Sequence, residues 1–220
     1  MNQFENHVAL VTGAGSGLGK AFALELGAEG AAVVVTDINL ESAQQVAESI
    51  VTAGGKAVAL KHDTTSMTDH EAAVNAAVSN FGKLSLAVNN AGIGTPAGFI
   101  GDMDMSLWDQ MINVNLNGVA YGLRHQIPAM KAAGGGSIVN VASILGAVGK
   151  AGVPASYVAA KHGVVGLTKN AAIEHATDGI RVNAVGPAFI KTPLLGNLPE
   201  EALPALAAEH PLERLGEPEE

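Results

Sequence analysis

A tyrosine and a lysine stand four positions apart, as Tyr157 and Lys161, in the segment SYVAAKHG (156–163). Residues at this spacing share one face of a helix. A phenol has a pKa of about 10, and a neighbouring ammonium favours the phenolate and lowers that pKa. Such a tyrosine could exchange a proton with an alcohol or carbonyl oxygen. The same spacing also occurs on helices without catalytic function, so on its own it leaves both interpretations open.

Two more polar residues are candidates for the same site. Ser143 follows the apolar run SIVNVA (137–142), and its hydroxyl could hydrogen-bond the substrate oxygen that the tyrosine serves. Asn115 lies in NVNLNG (113–118), on the long helix expected after the fourth strand. Ligands of open α/β sheets bind outside the carboxyl ends of the strands, so we expect all four residues near that edge.

The segment TGAGSGLG (12–19) places glycines between a predicted strand and a predicted helix. Free N–H groups at a helix N-terminus attract phosphate without a basic side chain. The spacing G-x-x-x-G-x-G at 13, 17 and 19 differs from both G-x-G-x-x-G and G-x-x-x-x-G-K-[ST]. A bare turn or a close helix contact remains the alternative to a phosphate site.

Asp37 ends the second apolar run. A carboxylate there can accept hydrogen bonds from the adenosine ribose hydroxyls, and it would repel a 2′-phosphate. Capping of the next helix is the alternative, but Asn39 is better placed as the cap. Asp37 therefore favours NAD over NADP.

The elements that must position these residues follow from hydrophobic periodicity. The apolar runs are nearly continuous, as in parallel strands covered on both faces, and span 7–12, 31–37, 56–62, 84–90, 136–143 and 180–186. Helical patterns between them begin near Leu18, Leu40, Met67, Ser106 and Pro154, with Asn39 and Thr65 or Ser66 as N-caps. The alternation predicts one α/β domain over 1–220, a Rossmann-like doubly wound parallel sheet with helices on both faces.

Composition excludes several classes of function. The 220 residues carry a net charge of −9 and no cysteine, which excludes disulfides, thiol nucleophiles and zinc–thiolate sites. No basic cluster fits a nucleic acid, no apolar run reaches membrane-spanning length, and no signal peptide is recognisable. The seven histidines, predicted to lie at the surface or in polar packing, lack metal-binding spacing. We expect a cytoplasmic protein without metal, membrane or nucleic-acid partner.

Together the motifs resemble the short-chain dehydrogenase/reductase family. They follow the family's order and spacing over essentially the whole chain: TGAGSGLG (12–19), Asp37, Asp63 in KHDTT, NNAG (89–92), Asn115, Ser143, Tyr157-x-x-x-Lys161 and NAVGPAFIKT (183–192). The chain departs from the family in having Gly186-Pro187-Ala188 in place of Pro-Gly. The family usually continues into one more helix and a seventh strand, so we expect this chain to lack both and strand six to be an edge.

The resemblance implies a residue set for NAD. The pyrophosphate turn would be Gly13, Ser16, Gly17, Leu18 and Gly19. Asp37 would hold the adenosine ribose, and Asp63 with Thr64 would lie near the adenine. The segment beneath the cofactor would be Asn90, Ala91 and Gly92, and contacts at the nicotinamide end would come from Pro187, Ile190 and Thr192.

The resemblance also implies catalytic roles. Tyr157 would be the acid/base, and Ser143 would orient the substrate oxygen. Lys161 would bind the nicotinamide ribose and lower the pKa of Tyr157, and Asn115 would hold a water of the proton relay. The implied reaction is hydride transfer between a secondary alcohol and NAD+, or the reverse, without a metal.

The expected substrate walls are mostly apolar and have no arginine placed to clamp an anion; they are Ile93–Pro96, Ile144–Val148, Val153 and 188–212. We therefore expect an uncharged alcohol or ketone, for example a cyclic or steroid-like one, with 193–212 as a lid. One alternative is an NADPH-dependent 3-oxoacyl-thioester reductase, against which Asp37 argues. Another is a catalytically silent dinucleotide-binding regulatory protein, against which the intact polar set argues.

The helix predicted from Pro154 to about Thr177 is apolar nearly all round. The sheet can cover only one side of such a helix, so a second copy of the chain is a natural cover for the other. The resemblance implies pairing through this helix and the Asn115 helix. We expect a homodimer or homotetramer, with burial by a loop of the same chain as the alternative.

Overall fold

The computed structural model describes residues 3–94, 96, 98–197 and 201–220. Its strands are β1 (Val8–Thr12), β2 (Ala32–Asp37), β3 (Lys56–Lys61), β4 (Leu86–Asn89), β5 (Gly136–Val141) and β6 (Ile180–Val185). All pair in parallel, in the order β3-β2-β1-β4-β5-β6. The predicted α/β fold with a doubly wound parallel sheet is confirmed.

The helices alternate with the strands. They are α1 (Gly17–Ala28), α2 (Leu40–Thr52), α3 (Met67–Phe81), α4 (Met105–Ile112), α5 (Gly118–Ala132), α6 (Ala155–Glu174) and α7 (Ala202–Ala208). The predicted N-caps are present, since the side chain of Asn39 accepts from the Ser42 N–H at 3.2 Å and that of Ser66 from the Asp69 N–H at 3.2 Å. These caps satisfy amide groups that the first helical turn leaves unpaired.

The sheet separates two apolar cores, and β1 shows why its strands read as continuous apolar runs. Ala9 and Val11 pack on the face covered by α1 and α2, whereas Val8 and Leu10 pack on the face covered by α3, α5 and α6. Successive strand residues point to opposite faces, so a strand covered on both sides needs apolar residues at every position. All five residues of β1 are buried.

The single long helix predicted from Ser106 is interrupted. A π-helical segment, Asn113–Asn117, joins α4 to α5. Such one-turn bulges are frequent at functional sites because they change the direction of one side chain within a helix. Asn115 lies at the middle of this segment and is fully buried.

At the far side of the sheet, β6 pairs only with β5 within the described residues. Four of its six residues are exposed, including Val185. None of the helices that the structure describes is both long and apolar enough to span a bilayer.

Candidate active site

The predicted site residues lie along the carboxyl edge of the sheet. The order of the strands reverses between β1 and β4, because the chain first builds outward through β2 and β3 and then outward on the other side through β5 and β6. A crevice forms at such a reversal, where ligands of open α/β sheets bind. The glycine turn follows β1, Asn90 follows β4, Ser143 follows β5 and Pro187 follows β6.

The glycine turn requires glycine at two positions for backbone reasons. Gly13 has φ +60° and Gly17 has φ +51°, which other residues rarely adopt. A Cβ on Gly13 would also lie 2.8 Å from the Cα of Ala91. Ser16 precedes α1 without forming a side-chain cap, so its hydroxyl leaves the first-turn amides of α1 to another acceptor. This bare helix start with a closely approachable backbone fits a diphosphate group.

The segment after β4 holds the glycine turn in place. The side-chain amide of Asn90 donates to the carbonyls of Thr12 (2.9 Å) and Gly13 (3.1 Å). The backbone N–H groups of Asn90 and Ala91 both donate to the hydroxyl of Thr12 at 3.0 Å. The predicted segment Asn90–Gly92 is therefore packed directly against the turn.

Asp37 ends β2 beside the same turn, with its carboxylate fixed in orientation. One oxygen accepts from the Gly15 N–H at 2.9 Å and the other from the Asn39 N–H at 2.9 Å. Each carboxylate oxygen keeps a lone pair for a further donor such as a ribose hydroxyl. Asp37 does not cap α2, which is the function of Asn39.

Asp63 and Thr64 follow β3, next to the end of β2. A carboxylate oxygen of Asp63 accepts from the backbone N–H of Thr65 at 2.9 Å and from its hydroxyl at 2.8 Å. The carbonyl of Thr64 is hydrogen-bonded to Nε2 of His70 at 3.0 Å. This places both residues at the β2–β3 side of the crevice, where the resemblance expects the adenine.

Tyr157, Lys161 and Ser143 converge at the other side of the crevice. Lys161 is 4% exposed, and its Nζ donates to the carbonyl of Val141, the last residue of β5, at 2.8 Å. That Nζ lies 5.6 Å from the centre of the Tyr157 ring. The Ser143 hydroxyl accepts from the Leu145 N–H at 3.2 Å and is near enough to Tyr157 to act on its pKa. The lysine thus ties α6 to the strand that precedes the serine.

Burial sets the protonation of this group. It raises the pKa of Tyr157, and the hydrogen bond with Ser143 only partly opposes that change. Burial also lowers the pKa of Lys161 to about 8. The net pKa of Tyr157 therefore lies above its usual value, with desolvation of the phenol as the largest cause. The expectation that the Lys161 charge acts against this increase stays a prediction. Tyr157 is protonated at neutral pH and can donate its proton.

Asn115 lies at the crevice, and its side chain is hydrogen-bonded to the loop after β4. Its Oδ1 accepts from the Ile93 N–H at 2.8 Å, and its Nδ2 donates to the Ile93 carbonyl at 2.9 Å. The π-helical segment thereby clamps the loop after β4. The water-holding role expected of Asn115 stays a prediction.

We call residues 187–194, which follow β6, the strap. Its first carbonyl, that of Pro187, accepts from the Ile144 N–H at 3.0 Å. Further along, a Cβ on Gly17 would lie 3.2 Å from the Cβ of Thr192, and a Cβ on Gly94 would lie 3.5 Å from Leu194. The strap therefore crosses the crevice from Ser143 to the glycine turn, and Ile190 pairs with Gly216 on its way.

Parts of two expected features lie outside the described residues. Thr95 belongs to the expected wall Ile93–Pro96, and 198–200 belong to the expected lid 193–212. The rest of the lid contains α7, which follows the strap.

A buried polar chain beneath the site was not predicted. Asn89 hydrogen-bonds Gln126 (2.7 and 3.0 Å) and Asn140 (2.9 Å), and Asn140 donates to the hydroxyl of Thr168 at 2.9 Å. All four residues are buried, and they join α5, β4, β5 and α6. The available signal was the presence of asparagine within two runs otherwise suited to a core, since buried amides need partners.

Histidine packing is a second feature beneath the crevice. His62 and His70 form an edge-to-face pair with ring centres 4.4 Å apart, and both are buried. Nδ1 of His62 lies 3.0 Å from the hydroxyl of Thr36, which itself donates to the Val11 carbonyl. These two histidines therefore belong to the polar packing of the interior.

Comparison with known proteins agrees with this geometry. The family model described as short chain dehydrogenase matches residues 7–203. The chain is 52% identical over 219 residues to a cyclohexanol dehydrogenase of Acinetobacter sp. (strain SE19), covering 100% of this chain and 86% of that protein. It is 45% identical to a cis-4-hydroxycyclohexanecarboxylate dehydrogenase of Sinomonas cyclohexanicum, covering 99% and 86%. The crystal structure of levodione reductase superposes with a TM-score of 0.93 at 33% identity, covering 99% and 88%.

The chain therefore belongs to the short-chain dehydrogenase/reductase family. As a member it is an NAD(P)-dependent alcohol dehydrogenase of that type.

Proposed function

We propose that this chain is an NAD-dependent dehydrogenase that interconverts uncharged cyclic secondary alcohols and their ketones. The observation that carries the proposal is the convergence of Tyr157, Ser143 and Lys161 at the carboxyl end of β5, facing a crevice whose other side is the bare glycine turn. Two similar relatives are named for dehydrogenation of hydroxycyclohexane compounds, one of them a carboxylate, so they support the cyclic secondary alcohol of the proposal.

The dinucleotide, when bound, supplies a hydride acceptor or donor. The chain positions the substrate oxygen and exchanges the proton with it. Ser143 holds the substrate oxygen next to the hydroxyl of Tyr157. In ketone reduction Tyr157 donates its proton to that oxygen, and in alcohol oxidation a Tyr157 phenolate accepts it. Nζ of Lys161 lies 5.6 Å from the centre of the Tyr157 ring. While this amine is protonated, its charge would stabilise the phenolate that oxidation requires.

Asp37 supports NAD as the cofactor. Its carboxylate is held by the amides of Gly15 and Asn39 beside the glycine turn, where the adenosine ribose of a dinucleotide lies in this fold. A fixed negative charge there accepts hydrogen bonds from two ribose hydroxyls and repels a phosphate on one of them. Gly15 also lets the backbone of the turn lie close to the Asp37 carboxylate, since a Cβ on Gly15 would lie 3.0 Å from the Asp37 carboxyl carbon.

The pairing of nearby cations supports an uncharged substrate. Lys191 on the strap is paired with Glu217 at 3.5 Å, and Lys150 near the expected walls is paired with Glu209. Arg214 is paired with Glu220 at 2.6 Å. Each of these positive charges already has a carboxylate partner, so none is left over to bind an anionic substrate group.

A cofactor titration and a substrate panel test the proposal together. We expect NAD+ to bind at least tenfold more tightly than NADP+, and cyclohexanol to be oxidised faster than a linear alcohol or a 3-hydroxyacyl thioester.

Tyr157→Phe should lower turnover at least a hundredfold, because the proton donor is lost while the ring remains. Tyr121→Phe is the matched control, as the chain has two tyrosines. Turnover of thioesters alone, or full activity of Tyr157→Phe, would refute the proposal.

A further inference from the structure

The ring of Phe189, on the strap, is held between two polar side chains from distant parts of the chain. Nζ of Lys150 lies 5.8 Å from the ring centre. The ring of His210 stacks on it at 5.8 Å with an interplanar angle of 28°. The backbone N–H of Phe189 also donates to Nε2 of His210 at 3.2 Å. The Lys150 ammonium pairs in turn with the carboxylate of Glu209, next to His210.

These contacts join three segments that border the crevice. Lys150 lies on the loop between Ser143 and Tyr157, Phe189 lies on the strap, and Glu209 with His210 directly follow α7. No residue of α7 is fully buried, and its apolar face, with Leu203 and Leu206, is only half-buried. Apolar packing therefore holds this helix weakly, and the cluster around Phe189 adds further contacts.

We propose that Lys150, Glu209 and His210 are positioning residues that form a latch, holding α7 and the strap against the loop between Ser143 and Tyr157. The inference rests on the proposed function, because the strap and that loop would enclose the alcohol. Phe189 lies between the strap's anchor at Pro187, bonded to Ile144, and its contact at Thr192 with Gly17. Fixing Phe189 therefore fixes the part of the strap that faces the substrate.

The contacts of the latch are partly exposed, so each is individually modest. Ion pairs at such positions and cation–π contacts each stabilise weakly, and loss of one would raise the open population by about threefold to tenfold. That is enough to weaken substrate binding while leaving the chemistry of Tyr157 intact. The expected signature is a larger KM for the alcohol with a nearly constant kcat.

Hydrogen exchange tests the latch without relying on activity. Lys150→Met and Glu209→Gln should each speed exchange of the Phe189 amide and of the α7 amides by about threefold to tenfold. The double variant should show no more than the larger single effect, because both remove the same ion pair. Lys131→Met, which breaks the exposed Lys131–Asp178 pair, is the matched control and should change neither. Unchanged exchange in Lys150→Met and Glu209→Gln would overturn the latch.

Kinetics then tests its positioning role. His210→Leu should raise KM for cyclohexanol by about threefold to tenfold with kcat within about twofold, and His210→Gln should restore most of that loss because its side-chain oxygen can accept the Phe189 N–H. Faster exchange with an unchanged KM would overturn the positioning role. If the unsubstituted protein oxidises no alcohol, the proposed function fails, and the exchange data still decide whether the latch exists.

Discussion

At the scale of single residues, burial has the largest effect on the protonation of Tyr157 and raises its pKa. Nζ of Lys161 donates to the Val141 carbonyl. Tyr157 is therefore protonated at neutral pH and can donate a proton. Proton acceptance, which alcohol oxidation needs, requires the phenolate and hence a higher pH.

This asymmetry predicts different pH profiles for the two directions. The raised pKa of Tyr157 means that kcat/KM for alcohol oxidation should increase from pH 7 into the alkaline range, as the phenolate fraction grows. The kcat/KM for ketone reduction should stay nearly constant over the same range, because the phenol remains protonated, and should fall only near the raised pKa. Steady-state rates at saturating cofactor measure both. Parallel profiles in the two directions would contradict the assignment of Tyr157 as the proton carrier.

Asn115 gives a second prediction at this scale. Asn115→Leu removes both hydrogen bonds to Ile93 and leaves the N–H and C=O of this half-buried residue without these partners. Loss of a hydrogen bond costs about 0.5–1.5 kcal/mol, so we expect the free energy of unfolding to fall by about 1–3 kcal/mol. Urea unfolding measures the change.

The control for that change is Asn113→Leu. Asn113 is exposed on the same π-helical segment and bonds only the Asn117 side chain among the described side-chain contacts. We expect it to cost less than about 0.5 kcal/mol. Equal losses in the two variants would mean that the clamp on Ile93 contributes nothing beyond the bulge itself.

At the scale of elements, His62 and His70 connect the ends of β2 and β3 to α3 behind the adenine side of the crevice. Burial, together with the neighbouring His70, lowers the pKa of His62 from 6.5 to about 4. Folding therefore favours neutral His62. The unfolded chain binds more protons between these two values, so the associated stability is present above pH 6.5 and is lost as the pH falls toward 4.

His62→Asn should remove this pH dependence. The loss attributable to His62 between pH 7.5 and pH 4 is about 3 kcal/mol. The asparagine amide can still donate to Thr36, so we expect the variant to be less stable at pH 7.5 but to lose less stability on acidification. Urea unfolding at both pH values checks this. His162→Asn, at an exposed histidine of α6, should keep the wild-type dependence, and an unchanged slope in His62→Asn would contradict the prediction.

The elements also show what the sequence could and could not reveal. Helix starts were predicted to within one residue, at Leu40 and Met67 for example, because caps and periodicity are local signals. The π-helical break at Asn113 has no such signal, since its cause is the tertiary clamp on Ile93. The latch around Phe189 joins residues about 40 and 20 positions away, and single-sequence periodicity carries no information on such pairs.

At the scale of the whole molecule, α6 leaves one stripe exposed. Its exposed residues are Ala159, His162, Gly166, Lys169, Asn170, Ile173 and Glu174. The stripe is more polar than the sequence implied, because most apolar residues of α6 face the sheet or α4 and α5. It still presents small residues at its centre and Ile173 at 79% exposure near its end.

We expect this stripe to form a contact between copies in a homodimer or homotetramer, because the small side chains of Ala159 and Gly166 allow close helix approach. Ala159→Arg combined with Gly166→Arg should shift the protein to monomers, as measured by light scattering after size exclusion. Lys56→Glu, on the opposite edge of the molecule, is the charge-changing control. A wild-type monomer at 50 µM, or an unaltered assembly in the double variant, would contradict the expectation.

The reversal of the sheet between β1 and β4 divides the chain by task as well as by position. Residues that would choose the cofactor lie within 13–64, whereas those that would enclose the substrate follow β4, within 93–96 and 143–212. A chimera that carries the substrate-enclosing segment of another family member should therefore have the alcohol specificity of that donor. It should keep the dinucleotide preference of this protein. Natural diversification could have followed the same route. The dinucleotide-binding half of the gene would have been conserved, and the substrate-binding half would have been exchanged.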